Sequence, residues 1–257
     1  MNSSSASSGA KPVSVTVLGS GDAFATAGRS QSGYLVRTGS LCVLMDAGPD
    51  LLGSLKRKHL APADIDIIVI SHLHGDHYGG IPFLMLEYMY ESPPERKIHI
   101  VGPRNLESRC WRMMKLAYPH FDVNVIRPWL HFIEMAPHEE VRLGKLGISA
   151  IRSPHTAPDV SLSLKLRVSG KNIVYSGDSG WNEELVEFAE GADLFLCECT
   201  YYESSHLDFH MNYPQLAANR DRFKVGRMVL THLGREVLDH PREVKMELAY
   251  DGMKLDL

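Results

Sequence analysis

The run IDIIVI (residues 65–70) ends directly in SHLHGDHYGG (residues 71–80), which crowds His72, His74, Asp76 and His77 into six residues. A short apolar run bounded by polar and glycine residues reads as a buried strand, so the histidine-rich stretch is the loop that leaves it. A backbone leaving a strand can aim successive side chains at one point, whereas a regular helix would spread these four around its circumference. Imidazole and carboxylate together suit borderline to hard divalent metals such as zinc, manganese or iron, while a thiolate set would indicate a closed structural zinc site. The stretch therefore asks for a fold that gathers loops at strand ends around an open metal centre. A polar turn whose histidines only cap backbone groups is the alternative, and it leaves the density of ligands unexplained.

Strand-like and helix-like pieces alternate along the rest of the chain without a short repeat or a proline-rich linker. Residues 13–257 are accordingly read as a single domain behind a flexible Ser-rich tail, residues 1–12. VSVTVLG (13–19) alternates, and GYLVRT and LCVLMD flank Gly39-Ser40, a tight-turn signature, so the chain opens with a β-meander. A short helix is expected in PDLLGSLKRKHL (49–60), with Pro49 near its first turn. GGIPFLMLEYMYE (79–91) is too apolar for an exposed helix, KIHIVG reads as a strand, and NLESRCWRMMKLAY as a helix.

The second half repeats this grammar. LGISAI, VSLSLKLRV, KNIVYSGD, DLFLCE and RMVLTH read as strands, and NEELVEFAE and YPQLAANRDRF as helices. The terminal VKMELAYDGMKLDL (244–257) alternates on both sides of Asp251-Gly252 and predicts a hairpin. Two β-rich halves, each carrying helices, give an α/β fold: two packed sheets with helices outside, a four-layer αβ/βα sandwich.

Composition narrows the partners. With 44% hydrophobic and 23% charged residues the chain can bury a sizeable core. A net charge of −4 offers no basic surface for long nucleic acid, although a short phosphate substrate remains compatible. The opening MNSSSASSGAK lacks the apolar core of a secretory signal, and no later run is long enough to cross a bilayer, so a cytoplasmic protein without a membrane partner is expected. Cys42, Cys110, Cys197 and Cys199 form no Cys-x-x-Cys pair and read as reduced, mostly buried thiols. Met85, Tyr88, Met89, Trp111, Met113 and Met114 read as core packing, with a cleft wall or a homodimer face as the alternative. His59, His99, His120, His131, His138 and His240 have no ligand context.

Four ligands in one loop cannot complete two coordination shells, so more should stand at other strand ends. His155 in SPHTAPD, Asp178 in YSGDSG and His232 in LTHLG each occupy a strand-to-loop junction beside small residues. Alone, each has an ordinary reading as a satisfied histidine or a turn aspartate. Beside the loop they make a seven-residue ligand set.

SHLHGDHYGG with PHTAPD, SGDSG and LTHLG resembles the metallo-β-lactamase superfamily, whose signature is His-x-His-x-Asp-His followed by His, Asp and His. The resemblance spans nearly the whole chain. VLGSGDAFATAGRSQSGYLV and LMDAGPDLL are similar to the opening of the ribonuclease Z-like branch. By that resemblance His72, His74 and His155 hold one divalent ion, Asp76, His77 and His232 a second, and Asp178 bridges them. Two ions about 3.5–4 Å apart, zinc first and manganese or iron as alternatives, would activate a bridging hydroxide and stabilise charge on an attacked phosphorus or carbonyl. Asp46, ending LCVLMD, is either a carboxylate that orients a ligand or a turn cap.

Residues beyond the ligands bear on the bond that is cut. In the ribonuclease Z branch a Glu in a His-Glu-Ala-Thr strand end and a later His before a helix protonate the leaving oxygen. Here CECT and HMN match in part: Glu198, Thr200 and His210 fall on the pattern, and Cys197, Cys199 and Asn212 depart from it. The resemblance thus assigns His210 as general acid and Glu198 as its orienter, joining Asp76 as the catalytic residues, with His206 as a rival to His210. Only residues 156–177 separate His155 from Asp178, so the arm that grips tRNA in transfer-RNA-processing ribonuclease Z is missing. A cyclic or short nucleotide, or another small phosphodiester, becomes the expected substrate, ahead of tRNA 3′-end maturation. The phosphodiesterase branch of phosphonate breakdown is equally compact but carries extra cysteine ligands not found here. A lactonase or thioesterase of the same fold would keep all seven ligands and is the runner-up. A flavodiiron reductase, a secreted β-lactamase and a non-catalytic scaffold fit less well.

Overall fold

The computed structural model describes residues 12–203 and 208–257; the Ser-rich stretch 1–11 and the rival His206 lie outside the described residues. The first half runs β1 (Ser14–Gly19), β2 (Gly33–Arg37), β3 (Cys42–Met45), α1 (Leu51–Arg57), β4 (Ile67–Val69), α2 (Gly75–Tyr78), α3 (Ile81–Tyr90), β5 (Ile98–Gly102), α4 (Leu106–Ala117), α5 (Val123–Ile126) and β6 (Leu130–Glu134). The second runs β7 (Glu140–Leu143), β8 (Leu146–Ser153), β9 (Ser161–Val168), β10 (Lys171–Tyr175), α6 (Glu183–Ala189), β11 (Leu194–Glu198), α7 (Tyr213–Asn219), β12 (Arg227–Thr231), α8 (Arg235–Asp239), β13 (Glu247–Leu248) and β14 (Lys254–Asp256).

Two seven-stranded sheets form, in the orders β14-β1-β2-β3-β4-β5-β6 and β13-β12-β11-β10-β9-β8-β7. Strand alternation dictates the layers. In β3, Val43 and Met45 point into the core between the sheets, with Val15, Tyr34, Leu164, Tyr175 and Leu196, while Leu44 points outward. The outward face meets Leu51 and Leu55 of α1, Leu84, Met85 and Tyr88 of α3, and Cys110 and Met114 of α4. On the other sheet, Val174, Phe195 and Leu230 are covered by Leu185 and Val186 of α6 and by Leu216 and Phe223. The parallel central strands are thus buried on both faces, which is why they read as continuous apolar runs. The result is the αβ/βα sandwich. Met85, Tyr88 and Met114 are core residues, and all four cysteines are free and buried.

The C-terminal hairpin does not form. Val229 and Leu230 of β12 pair in parallel with β13, whereas β14 pairs antiparallel with β1 through Val15 and Leu255, so the Asp251-Gly252 turn crosses from one sheet to the other. Both flanking runs bury their alternate residues, Ala249 on one side and Met253 and Leu255 on the other, in the core between the sheets. The Asp251 carboxylate is occupied by the Ser20 amide and hydroxyl and the Ser30 amide, which anchor the crossing. Strands β6 and β7, not evident in the sequence pattern, close the two sheets at their edges.

Strand direction positions the site. β3 and β4 run parallel, as do β10, β11 and β12, and β8 runs in the same sense as β10 because each is antiparallel to β9. Their carboxyl ends therefore open on one rim, the place where loops of an α/β sheet assemble a site. A hydrogen bond from the Leu233 amide to the Ser20 carbonyl, 3.0 Å long, ties the two sheets together there. No helix of the described residues is long and apolar enough to cross a membrane.

Candidate metal centre

The loop after β4 is only partly irregular: His72 lies outside any regular element, His74 has extended backbone, and the helical turn α2 then carries Asp76 and His77. That bend lets both halves of the stretch face one point. His72, His74, His155 and Asp178 offer ligand atoms that all lie within 4.8 Å of one another, and so do Asp76, His77, Asp178 and His232. Asp178 is common to both groups. Its Oδ2 is 3.9 Å from His72 Nε2, 3.7 Å from His155 Nε2 and 3.3 Å from His232 Nε2, while Oδ1 is 3.2 Å from His77 Nε2. Asp76 Oδ2 lies 3.2 Å from His77 Nε2 and 3.3 Å from His232 Nε2. Thus the structure brings together every ligand candidate of the sequence.

The imidazoles are held from behind. His77 Nδ1 donates to Asp46 Oδ2 at 2.7 Å, and His155 Nδ1 donates to the Phe209 carbonyl at 2.8 Å. His232 Nδ1 lies 3.0 Å from the Thr200 hydroxyl, and His72 Nδ1 lies 3.1 Å from the Ser71 hydroxyl. Carboxylate and carbonyl accept only, so the first two bonds fix a proton on Nδ1 of His77 and of His155 and turn Nε2 of each toward the cluster. His74 differs: its Nδ1 faces inward, 3.1 Å from His155 Nε2.

Asp46 is fully buried and saturated. It accepts from the Ser71 amide (2.8 Å), the Ser71 hydroxyl (2.8 Å), His77 Nδ1 and the Tyr175 hydroxyl (2.9 Å). Of the two roles read from the sequence, the structure shows the orienting one. Asp46 and His232 both have positive φ, 56° and 53°, a conformation residues with side chains seldom take outside functional or tightly determined positions.

Do these residues fit a metal? Nε2 of His72, Nε2 of His77 and Oδ1 of Asp178 are buried and make no hydrogen bond. Each such orphan costs about 1–3 kcal/mol in an interior, and three of them converging are the donor set a cation would satisfy. The fit is good. Burial drives the His72 imidazole toward neutrality, as does the neighbouring His77 charge. Burial would also neutralise His77, but Asp178 and Asp46 override it and hold its pKa well above the ordinary range; a cation at Nε2 would take that proton's place. Asp76 and Asp178 are pushed up by burial, yet the close imidazoles of His77 and His232 keep both well below the usual carboxylate range.

Beside the cluster stands a second buried carboxylate. Glu198 Oε1 accepts from the Ser179 amide at 2.8 Å and from His210 Nδ1 at 2.8 Å, and its Oε2 accepts from the Thr200 hydroxyl at 2.9 Å. Since that hydroxyl donates to Glu198, it accepts from His232 Nδ1, and Thr200 links a ligand candidate to the carboxylate. The His210 ring stacks on His232 with centroids 5.5 Å apart. Burial would lower the His210 pKa; the Glu198 charge and hydrogen bond prevail and raise it to about 9. His210, His232 and Thr200 line a cleft of about 890 Å³ whose opposite wall is the loop after β1, with Phe24 and Thr26. Tyr175, Ser71, Phe24 and Phe209 were not singled out from sequence; Tyr175, directly before Ser176-Gly177-Asp178, carried the nearest thing to a signal.

A family model described as "Anti-Pycsar protein Apyc1" matches residues 13–252. "Uncharacterized protein Mb1374" of Mycobacterium bovis is 32% identical over 234 residues, 86% of this chain and 81% of that one. "Probable metallo-hydrolase YhfI" of Bacillus subtilis is 26% identical over 85% of this chain and 86% of its own. The crystal structure of YhfI, a metallo-β-lactamase fold protein, superposes with a TM-score of 0.75 at 23% identity, covering 96% of this chain and 100% of that one. That of the short form of human tRNase Z gives a TM-score of 0.77 at 24% identity over 94% of this chain and 98% of that one. Both share the fold.

Proposed function

The chain belongs to the Apyc1 family of anti-Pycsar proteins, and we propose that it is a phosphodiesterase acting on small nucleotides, cyclic or short. It is a metal-dependent hydrolase, as its fold, its relatives and its clustered His and Asp residues show. The finer reading is supported above all by the Glu198–His210 pair beside the cluster: a buried carboxylate holding an imidazole by a 2.8 Å bond at the cleft wall. An alkyl phosphodiester expels an alkoxide that needs a proton, as a lactone also does, whereas a thioester expels a thiolate that needs none; the pair therefore counts against a thioesterase.

In this reading His72, His74 and His155 would hold one divalent ion, Asp76, His77 and His232 would hold the other, and Asp178, common to both groups, would serve each. Ions bound there supply Lewis acidity toward a phosphoryl oxygen and lower the pKa of water. Asp46 keeps His77 aimed directly and His72 through Ser71. With Nδ1 committed to Glu198, protonated His210 offers Nε2–H. Water releases one proton to solvent as it adds to phosphorus, the bond to the leaving oxygen breaks, and that oxygen takes the proton from His210 Nε2, which solvent then returns to the imidazole. The site's span suits a small ester: the interval between His155 and Asp178 is filled by β9, β10 and the turn at Ser169-Gly170, with no protruding arm.

The test is hydrolysis of a chromogenic phosphodiester beside a lactone and a thioester, by purified protein whose bound metal is counted. Selective phosphodiester turnover with about two ions per chain is expected. Turnover of the carbonyl esters alone would overturn the assignment.

A further inference from the structure

Phe24 is 86% exposed, more than any other large apolar side chain among the described residues, and it lines the cleft next to the metal-binding cluster. Its loop is built to hold it out. Asp22, only 4% exposed, accepts from the Phe24 amide (3.1 Å), the Thr26 amide (3.1 Å) and the Thr26 hydroxyl (2.9 Å). Ala25 and Ala27 on either side of Thr26 have φ of 51° and 56°, a left-handed backbone that alanine adopts at a cost. At the loop's return, Arg29 donates to the Ser20 hydroxyl and the Ala249 carbonyl, both at 2.7 Å. A chain that only had to turn here would use glycine at the left-handed positions and a polar tip. Instead a fixed, strained loop presents an aromatic ring to water.

Phe209, 39% exposed, lines the same cleft from the other side, its ring 5.3 Å from that of His210. An acyl chain would ask for an enclosed, continuous apolar wall, whereas the large apolar groups of this cleft are two exposed rings, Phe24 and Phe209. A flat heterocycle gains from such a surface, because its π-face stacks while its polar edge stays hydrated. We propose that Phe24 is the stacking platform for the nucleobase of the substrate, so that the cleft takes a nucleoside phosphodiester with its base on Phe24 and its phosphate at the His and Asp cluster. This rests on the phosphodiesterase reading and adds to it the residue that would hold the base.

The experiment uses the full chain with its metals bound. It compares kcat/KM for a 3′,5′-cyclic nucleotide and for the 3′,5′-cyclic phosphate of 1-O-methylribose, which lacks a base, in wild type, Phe24→Ala and Phe24→Trp. Calorimetric binding of a nucleoside monophosphate and of ribose 5-phosphate to the same three proteins supplies a readout independent of turnover. Wild type should prefer the base-bearing ligand in both assays. In Phe24→Ala that preference should shrink about 5- to 100-fold, the span seen for loss of a base–aromatic stack, and Phe24→Trp should keep it. An undiminished preference in Phe24→Ala, with wild type cleaving both esters, would overturn the platform and leave the phosphodiesterase standing. Wild type cleaving neither ester would remove that reading and this inference with it.

Discussion

Two buried carboxylates flank the cluster, and they are wired differently. Asp46 spends its contacts on Ser71, His77 and Tyr175, all deep in the fold, and reaches no cleft. Glu198 is equally buried, yet one oxygen holds His210, which lines the cleft, and the other reaches His232 through Thr200. In the proposed reading the same device has two uses: Asp46 fixes geometry, and Glu198 would couple the ligand candidates to a proton that can leave. The distinction follows from placement. Asp46 ends β3 in the middle of the first sheet, under the loop after β4, while Glu198 ends β11, where the neighbouring loops open outward.

The comparison can be broken at several points. The largest effect belongs to neither carboxylate but to the aspartate between them: Asp178→Asn should lose essentially all turnover and drop bound metal from about two ions per chain to about one or fewer, as counted by elemental analysis. Glu198→Gln should keep its metal and lower kcat by roughly 10²- to 10⁴-fold, the range for loss of a general acid; metal loss in that variant would erase the difference between the two carboxylates. Asp46→Asn should do the reverse, weakening metal affinity by roughly 10- to 100-fold, as expected for a group that orients a ligand, with activity recovering in excess metal. Thr200→Val, which cuts the link between His232 and Glu198, should cost about 3- to 10-fold in kcat, equivalent to one ordinary hydrogen bond. Thr200→Ser should restore it, whereas a steric role for the methyl group would leave serine as impaired as valine.

Much of this was legible in the chain because apolar runs announce strand ends, and the ligand candidates stand where those runs stop. His72, His155, Asp178 and His232 are each adjacent to a β-strand terminus or its loop, so their convergence needed only parallel strand directions. Pairing partners were less legible. Alternation about Asp251-Gly252 looks the same whether two strands pair with each other or, as here, with opposite sheets. Edge strands such as β7, with polar residues at alternate positions, lack the apolar signal of buried ones. The supports were hidden for another reason: the Tyr175 hydroxyl meets Asp46 across 129 residues of sequence. Phe24 was hidden too, since nothing local says whether a lone aromatic in a loop is buried or bare.

The measurement that bears most directly on the account is the leaving-group dependence of His210→Ala, taken with wild type across a series of phosphodiesters of graded leaving-group pKa, with metal counted in both. If His210 protonates the leaving oxygen, the variant should keep its metal and lose little with good leaving groups and far more with poor ones, steepening the dependence. A parallel loss across the series with metal retained would contradict the proton-donating role of the Glu198–His210 pair, and with it the observation on which the phosphodiesterase reading leans.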